Sequence, residues 1–144
     1  MADNDIIKKL NKLIQLDIDA VHAYEKALAS IEEAGLKDSL NQFHKDHVNH
    51  INNLSTEVKK LGGTPQEYSK DFKGYLIEGF TSLRSITGTD GALKAMEQNE
   101  VLTNKKYDDA LNWEVSPSAA DVIRNGAADE KRHLEFIRET LKNR

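Results

Sequence analysis

A chain of 144 residues is long enough to bury a sizeable core as one domain. Its 31% charged and 38% apolar residues, with only two prolines, fit a helix-rich protein, and a formal charge of −4 argues against a nucleic-acid partner, which would call for a basic face. The absence of cysteine excludes disulfides, thiolate metal sites and cysteine nucleophiles. No apolar run approaches membrane-spanning length, so no membrane partner is expected. The acidic start Met1-Ala2-Asp3-Asn4-Asp5 lacks an apolar signal core, which makes the expected address cytoplasmic.

The first helix is predicted to open at Asp3 or Asn4, either of which can cap it, and to run to about Ala34. Its seam is Leu10, Leu13, Asp17, Ala20, Tyr24, Ala27 and Ile31, the alternating three-and-four spacing of bundle helices. Gly35 then offers a C-terminal cap, and Asp38 or Ser39 can open a second helix reaching about Leu61. In that helix the seam runs Leu40, Phe43, His47, His50, Leu54, Val58 and Leu61, with two histidines where the pattern asks for apolar residues. Gly62-Gly63-Thr64-Pro65 stops it, because glycine suits a left-handed cap and proline cannot continue the hydrogen-bond ladder.

About 25 residues separate this hairpin from the next regular seam, and within them Phe72, Tyr75, Leu76, Phe80 and Leu83 share one face of a helix. A short crossover helix lying against the bundle is expected there. Its apolar stripe is also the one candidate contact for a homodimer or a helical partner. The third helix is expected from Thr89 or Asp90 with seam Leu93, Met96, Glu100, Thr103, Tyr107 and Ala110, and Trp113 reads as an edge-of-core residue. Ser116-Pro117 supplies a cap and a first-turn proline for the fourth, with seam Ile123, Gly126, Glu130, His133, Ile137 and Leu141. The predicted domain is thus a first hairpin over about 4–61, a crossover over about 62–88 and a second hairpin over about 89–142.

The two hairpins echo each other. A shift of 83 positions pairs Leu10 with Leu93, Asp17 with Glu100, Tyr24 with Tyr107, Asp46 with Asp129, His50 with His133 and Leu54 with Ile137. The fold class is therefore all-α: a four-helix bundle made of two repeated αα-hairpins joined by a long crossover. Asp17, His47, His50, Glu100, Glu130 and His133 interrupt its seams. In each hairpin the acid precedes the final histidine by 33 positions with the turn near the midpoint, so antiparallel packing brings Asp17 near His50 and Glu100 near His133. All six can form one layer.

Burying that many ionisable groups demands compensation, since an unpaired charge in a core costs several kcal/mol. One solution is a metal-free network of carboxylates and partly protonated imidazoles. The other is one or two divalent ions. Pairs three residues apart on two helices, His47 with His50 and Glu130 with His133, plus a single acid on each of the other two, form the di-metal bundle pattern. Asp46 and Asp129, each one residue before such a pair, could orient a ligating histidine or could face solvent. Tyr24 and Tyr107 could donate to the ligands or simply fill core. Gly126 could leave space beside the site for a small ligand or permit close helix packing, the preferred reading, and His22 and His44 read as flank residues.

At this point the chain resembles the ferritin-like superfamily, which contains bacterioferritins, rubrerythrins and related di-iron carboxylate bundles. The family's acid seven residues before a tyrosine is matched by Asp17 with Tyr24 and by Glu100 with Tyr107, and its Asp-Glu-x-x-His is intact from Asp129 to His133. Among ferritin-like branches, the duplicated hairpin and the Gly-Gly-Thr-Pro turn resemble small bacterial four-helix proteins of unestablished function. Two departures stand out: Asp17 is one methylene shorter than the family's Glu, and His47 replaces a Glu that bridges both irons. Glu130 then becomes the main candidate bridge. The first hairpin would offer Asp17, His47 and His50, a two-histidine, one-carboxylate set, and the second Glu100, Glu130 and His133.

The resemblance implies one or two iron ions and chemistry linked to oxygen, peroxide or iron handling; zinc or manganese would accept the same nitrogen and oxygen donors. Without a cysteine-ligated iron centre, any electrons would come from an external donor. The alternative, from a different class, is a non-catalytic stress-related or scaffold bundle whose polar core carries no metal and fixes helix register.

Overall fold

The computed structural model of the protein describes residues 3–67 and 88–144. These residues form four helices and no strand: α1 (Asp3–Leu28), α2 (Ala34–Lys60), α3 (Gly88–Ala110) and α4 (Pro117–Lys142). Each of α1 and α4 packs against both α2 and α3, so the four make a closed square with α1 diagonal to α4. The all-α bundle of two hairpins expected from the seams is what forms. The crossover helix expected around Phe72–Leu83, with its candidate dimer contact, lies outside the described residues. No helix among the described residues is long and apolar enough to cross a membrane.

The first turn departs from expectation. α1 stops at Leu28, not near Ala34, and α2 opens at Ala34 rather than at Asp38 or Ser39. Ile31 is buried as the seam requires, yet it reaches the core from the turn, where Ser30 N–H donates to Ala27 O at 3.0 Å. Gly35 is consequently a first-turn residue of α2 and caps nothing. The α2 N-cap is Glu33, which makes no side-chain capping bond.

The other boundaries follow the sequence signals closely. Gly62 adopts φ +81° and its N–H bonds Lys59 O, while Gly63 N–H reaches Val58 O at 3.0 Å, the left-handed termination that glycine makes cheap. α3 is helical from Gly88, the first described residue after the crossover, and so includes the expected start at Thr89 or Asp90. Ser116 caps α4 by accepting from Ala119 N–H at 3.2 Å, with Pro117 at the first helical position.

Apolar side chains gather in two clusters. One joins Tyr24, Leu40, Phe43, Leu93, Met96 and Ile137; the other joins Leu10, Ile14, Leu54, Val58, Tyr107 and Ile123. On every helix the polar seam residues fall at the junction between them. The core is therefore two apolar blocks holding a polar layer, and this layer is the functional candidate.

A candidate metal centre in the bundle core

Asp17, His47, Glu100, Glu130 and His133 are wholly buried, and His50 is 5% exposed. α1 and α3 deliver one acid each, and α2 and α4 one pair each, as the i,i+3 spacing requires. The two pairings expected from hairpin symmetry are present: His50 Nδ1 lies 3.0 Å from Asp17 Oδ1, and His133 Nδ1 lies 3.2 Å from Glu100 Oε2.

Each hairpin trio stays together and gains one residue from the other hairpin. Two four-residue sets have donor atoms close enough to hold a metal ion, Asp17–His47–His50–Glu130 and His47–Glu100–Glu130–His133. Each draws on both hairpins, and His47 and Glu130 belong to both. Spacing along one hairpin could not reveal this, because it depends on how the hairpins rotate against each other.

Separations within the sets suit metal coordination. In the first, Asp17 Oδ1 is 2.7 Å from His47 Nδ1 and 3.0 Å from His50 Nδ1, while Glu130 Oε1 is 3.3 Å and 3.5 Å from the same nitrogens. In the second, Glu100 Oε2 is 3.3 Å from His47 Nε2 and 3.2 Å from His133 Nδ1, which is 3.5 Å from Glu130 Oε2. Donors bound at about 2.0–2.1 Å around a tetrahedral ion stand about 3.3–3.4 Å apart. The layer needs little adjustment to reach that spacing.

The partners around the layer are arranged reciprocally. Tyr24 on α1 donates its hydroxyl to Glu100 Oε2 on α3, and Tyr107 on α3 donates to Asp17 Oδ2 on α1 at 2.5 Å. Asp46 on α2 receives His133 Nε2 on α4 at 2.8 Å, and Asp129 on α4 receives His50 Nε2 on α2 at 2.8 Å. All four contacts cross between hairpins. Each tyrosine and each aspartate thus contacts a member of the layer. With Nε2 engaged outward, both histidines turn Nδ1 inward. Phe43 stacks on the His133 ring at 4.2 Å between centroids and fixes its plane.

Three contributors carried no functional assignment from the sequence. The Thr103 hydroxyl stands 3.0 Å from Glu100 Oε1 and 3.1 Å from Glu130 Oε2; its place in the α3 seam between Glu100 and Tyr107 was the available signal. Asn104 Nδ2 ties the α3 and α4 backbones together through Glu100 O at 2.7 Å and Glu130 O at 2.9 Å. Arg132 Nη2 joins Asp46 Oδ2 at 2.9 Å to Asp129 Oδ1 at 3.0 Å at the rim. Its partner Asp46 lies 86 residues away, so no local pattern points to it.

Charge in the layer is tightly coupled. Burial opposes protonation of all three histidines, but the facing carboxylates outweigh it. Glu130 and Asp17 push His47 up to about 9, Asp17 and Asp129 push His50 to about 12, and Asp46 and Glu100 push His133 to about 11. Burial likewise opposes ionisation of Asp17 and Glu100, yet the adjacent imidazoliums hold both below the ordinary carboxylate range. Asp46 and Asp129 are also held low against burial, by His133 and His50 respectively and by Arg132. Glu130 goes the other way: burial, reinforced by the Glu100 charge, raises its pKa despite His47. It is also the layer residue with an unsatisfied atom, since Oε1 is buried without a hydrogen bond.

The model of the DUF2383 family, a domain of unknown function, matches residues 5–113. The matched span includes α1, α2 and α3 with Asp17, His47, His50 and Glu100, and stops before α4. No curated protein matches the chain.

Proposed function

The chain belongs to the DUF2383 family, whose description assigns no function, and from its buried layer we propose that it is a ferritin-like bundle holding iron at Asp17, His47, His50, Glu100, Glu130 and His133. The observation that carries this reading is Glu130 Oε1, a buried carboxylate oxygen without a hydrogen bond, 3.3 Å from His47 Nδ1 and 3.5 Å from His50 Nδ1. The two facing imidazoliums offset part of the cost of about 1–3 kcal/mol that a polar atom without a hydrogen bond carries in a core. A cation placed among these donors removes that cost. The donor set, imidazole nitrogen with carboxylate oxygen and no sulfur, fits iron and would also take zinc or manganese.

When bound, iron would supply one-electron chemistry toward dioxygen or peroxide. The protein's own part is to exclude water from the layer, hold Glu100 and Asp17 through Tyr24 and Tyr107, and aim two imidazoles inward through Asp46 and Asp129. Electrons for turnover would come from an external donor, a protein or small molecule, because the chain has no cysteine with which to build a second iron centre of the thiolate type.

A second reading rests on the same contacts. The imidazoliums already face ionised carboxylates, and a non-catalytic scaffold could use that network to fix register. Metal content measured on anaerobically iron-loaded, desalted protein separates the two, with the Glu130→Ala/His133→Ala variant as control. One or two irons per chain, lost in the variant, support the metal centre; no retained iron, zinc or manganese leaves the scaffold.

The charge state predicts how metal binding depends on pH. Ligating imidazoles must release protons, so metal affinity is expected to rise steadily from pH 6.5 to pH 8.5, with proton release measurable by calorimetry in buffers of different ionisation enthalpy. Stability of the metal-free protein runs in the opposite sense over the alkaline range. The histidines' folded-state pKa values are raised, so their contribution is complete below about 6.5 and is lost as pH climbs through about 9 and on to about 12. On the acid side, the lowered pKa values of Asp17, Glu100, Asp46 and Asp129 give stability that disappears as pH falls below the ordinary carboxylate range. Thermal unfolding of the metal-free protein across pH should trace both flanks.

A further inference from the structure

His47 is where the repeat breaks, for its counterpart 83 positions on is Glu130. A carboxylate presents two oxygens on one carbon, whereas the imidazole presents nitrogens on two sides of a rigid ring. The His47 ring is wholly buried, and its two nitrogens enter different donor sets. Nδ1 lies 2.7 Å from Asp17 Oδ1 and 3.3 Å from Glu130 Oε1; Nε2 lies 3.3 Å from Glu100 Oε2. Glu130 divides in the same way, with Oε1 3.5 Å from His50 Nδ1 and Oε2 3.5 Å from His133 Nδ1. His50 and His133 do not divide, because each turns Nε2 outward to an aspartate at 2.8 Å.

Resting on the metal-binding reading above, we propose that His47 bridges two divalent ions as an imidazolate, one ion in the Asp17–His50 set and one in the Glu100–His133 set. Glu130 gives one oxygen to each. As the two cations bind, the protons on Nδ1 and Nε2 pass to solvent, and each nitrogen lone pair forms one metal bond. Each ion then has two nitrogen and two oxygen donors from the protein. Bonds of about 2.0 Å leaving both ring nitrogens set the ions about 6 Å apart, against about 3.5–4 Å for a close two-metal pair. The replacement of a carboxylate by His47 thus makes two separated sites joined by a stiff linker.

Zinc is a suitable probe, since it takes such donors and undergoes no redox change. The wild type, His47→Glu and His47→Gln would each be loaded with excess zinc, desalted, assayed for metal and studied by zinc-edge X-ray absorption, with far-ultraviolet circular dichroism to verify folding. The wild type should retain two zinc ions with imidazole outer-shell scattering and no zinc–zinc vector at about 3.5–4 Å. His47→Glu should retain two and gain that vector, and His47→Gln should retain one. A short zinc–zinc vector in the wild type, a single zinc in the wild type, or two zincs in folded His47→Gln overturns the bridge and leaves metal binding intact. Failure of the wild type to retain zinc, iron or manganese overturns both. Should a variant not fold, the wild-type stoichiometry and scattering decide the question alone.

Discussion

Glu130→Gln is expected to abolish tight metal binding while leaving the metal-free bundle as stable as the wild type, or about 1 kcal/mol more stable. Most substitutions of a wholly buried, charged residue destabilise, so the sign is diagnostic. In the metal-free protein the Glu130 carboxylate is an unfavourable guest: burial and the Glu100 charge raise its pKa, and Oε1 has no hydrogen bond. Glutamine keeps the shape and removes the charge. Its carbonyl can face the nitrogens of His47 and His50 while its amide donates to the Thr103 hydroxyl, which lies 3.1 Å from Glu130 Oε2, at the loss of the longer 3.5 Å contact with His133 Nδ1. Toward a metal the same change removes an anionic donor from both sets. The affinity loss should exceed the ~10–100-fold typical of losing a hydrogen-bond partner behind a ligand. Denaturant unfolding of the metal-free protein and a metal titration, run on both proteins, check the two halves. A loss of several kcal/mol with metal retention unchanged would mean that Glu130 serves the core and not a cation.

Gly126→Ala is expected to destabilise the bundle by about 2–4 kcal/mol, although alanine is the better helix former by about 1 kcal/mol. A Cβ at Gly126 would fall 2.4 Å from Tyr107 Cε1 and 3.0 Å from Cζ. The ring has nowhere to go: Tyr107 is 1% exposed and its hydroxyl donates to Asp17 Oδ2. Overpacking a core costs about 1–3 kcal/mol, and pulling the phenol from Asp17 adds about 1–3 kcal/mol for the acceptor left unsatisfied. Because Asp17 also faces two histidines, metal affinity should fall together with stability. Tyr107→Ala removes the obstructing ring, so in a double-mutant cycle the second substitution should cost clearly less on the Gly126→Ala background. Simple additivity would show that the ring is not what Gly126 accommodates. The sequence reading of Gly126 as a close-packing position is thereby given a specific partner.

Much of this was present in the primary structure. Seam spacing identified the helices because only residues three and four apart share a helical face. The repeat of 83 positions exposed the duplication, and equal acid-to-histidine spacing across a midpoint turn gave the antiparallel register that brings Asp17 to His50 and Glu100 to His133. Gly62 and Ser116 marked helix ends because they act through their own backbone or side chain. The end of α1 differs from its expected position because a buried Ile31 continues the apolar rhythm into a turn.

Tertiary packing decided what lies between the hairpins. A periodicity states which face of a helix is buried but not which face of a distant helix it will meet. Tyr24 with Glu100, Tyr107 with Asp17, Asp46 with His133, Asp129 with His50, and Arg132 across both aspartates all depend on that docking. So does the membership of His47 and Glu130 in both donor sets. Six donors in one layer could be read from spacing along the chain. The sharing of Glu130 and His47 between the two sets follows from the rotation of one hairpin on the other, which is fixed by apolar contacts and cross-hairpin hydrogen bonds that appear only when the bundle closes.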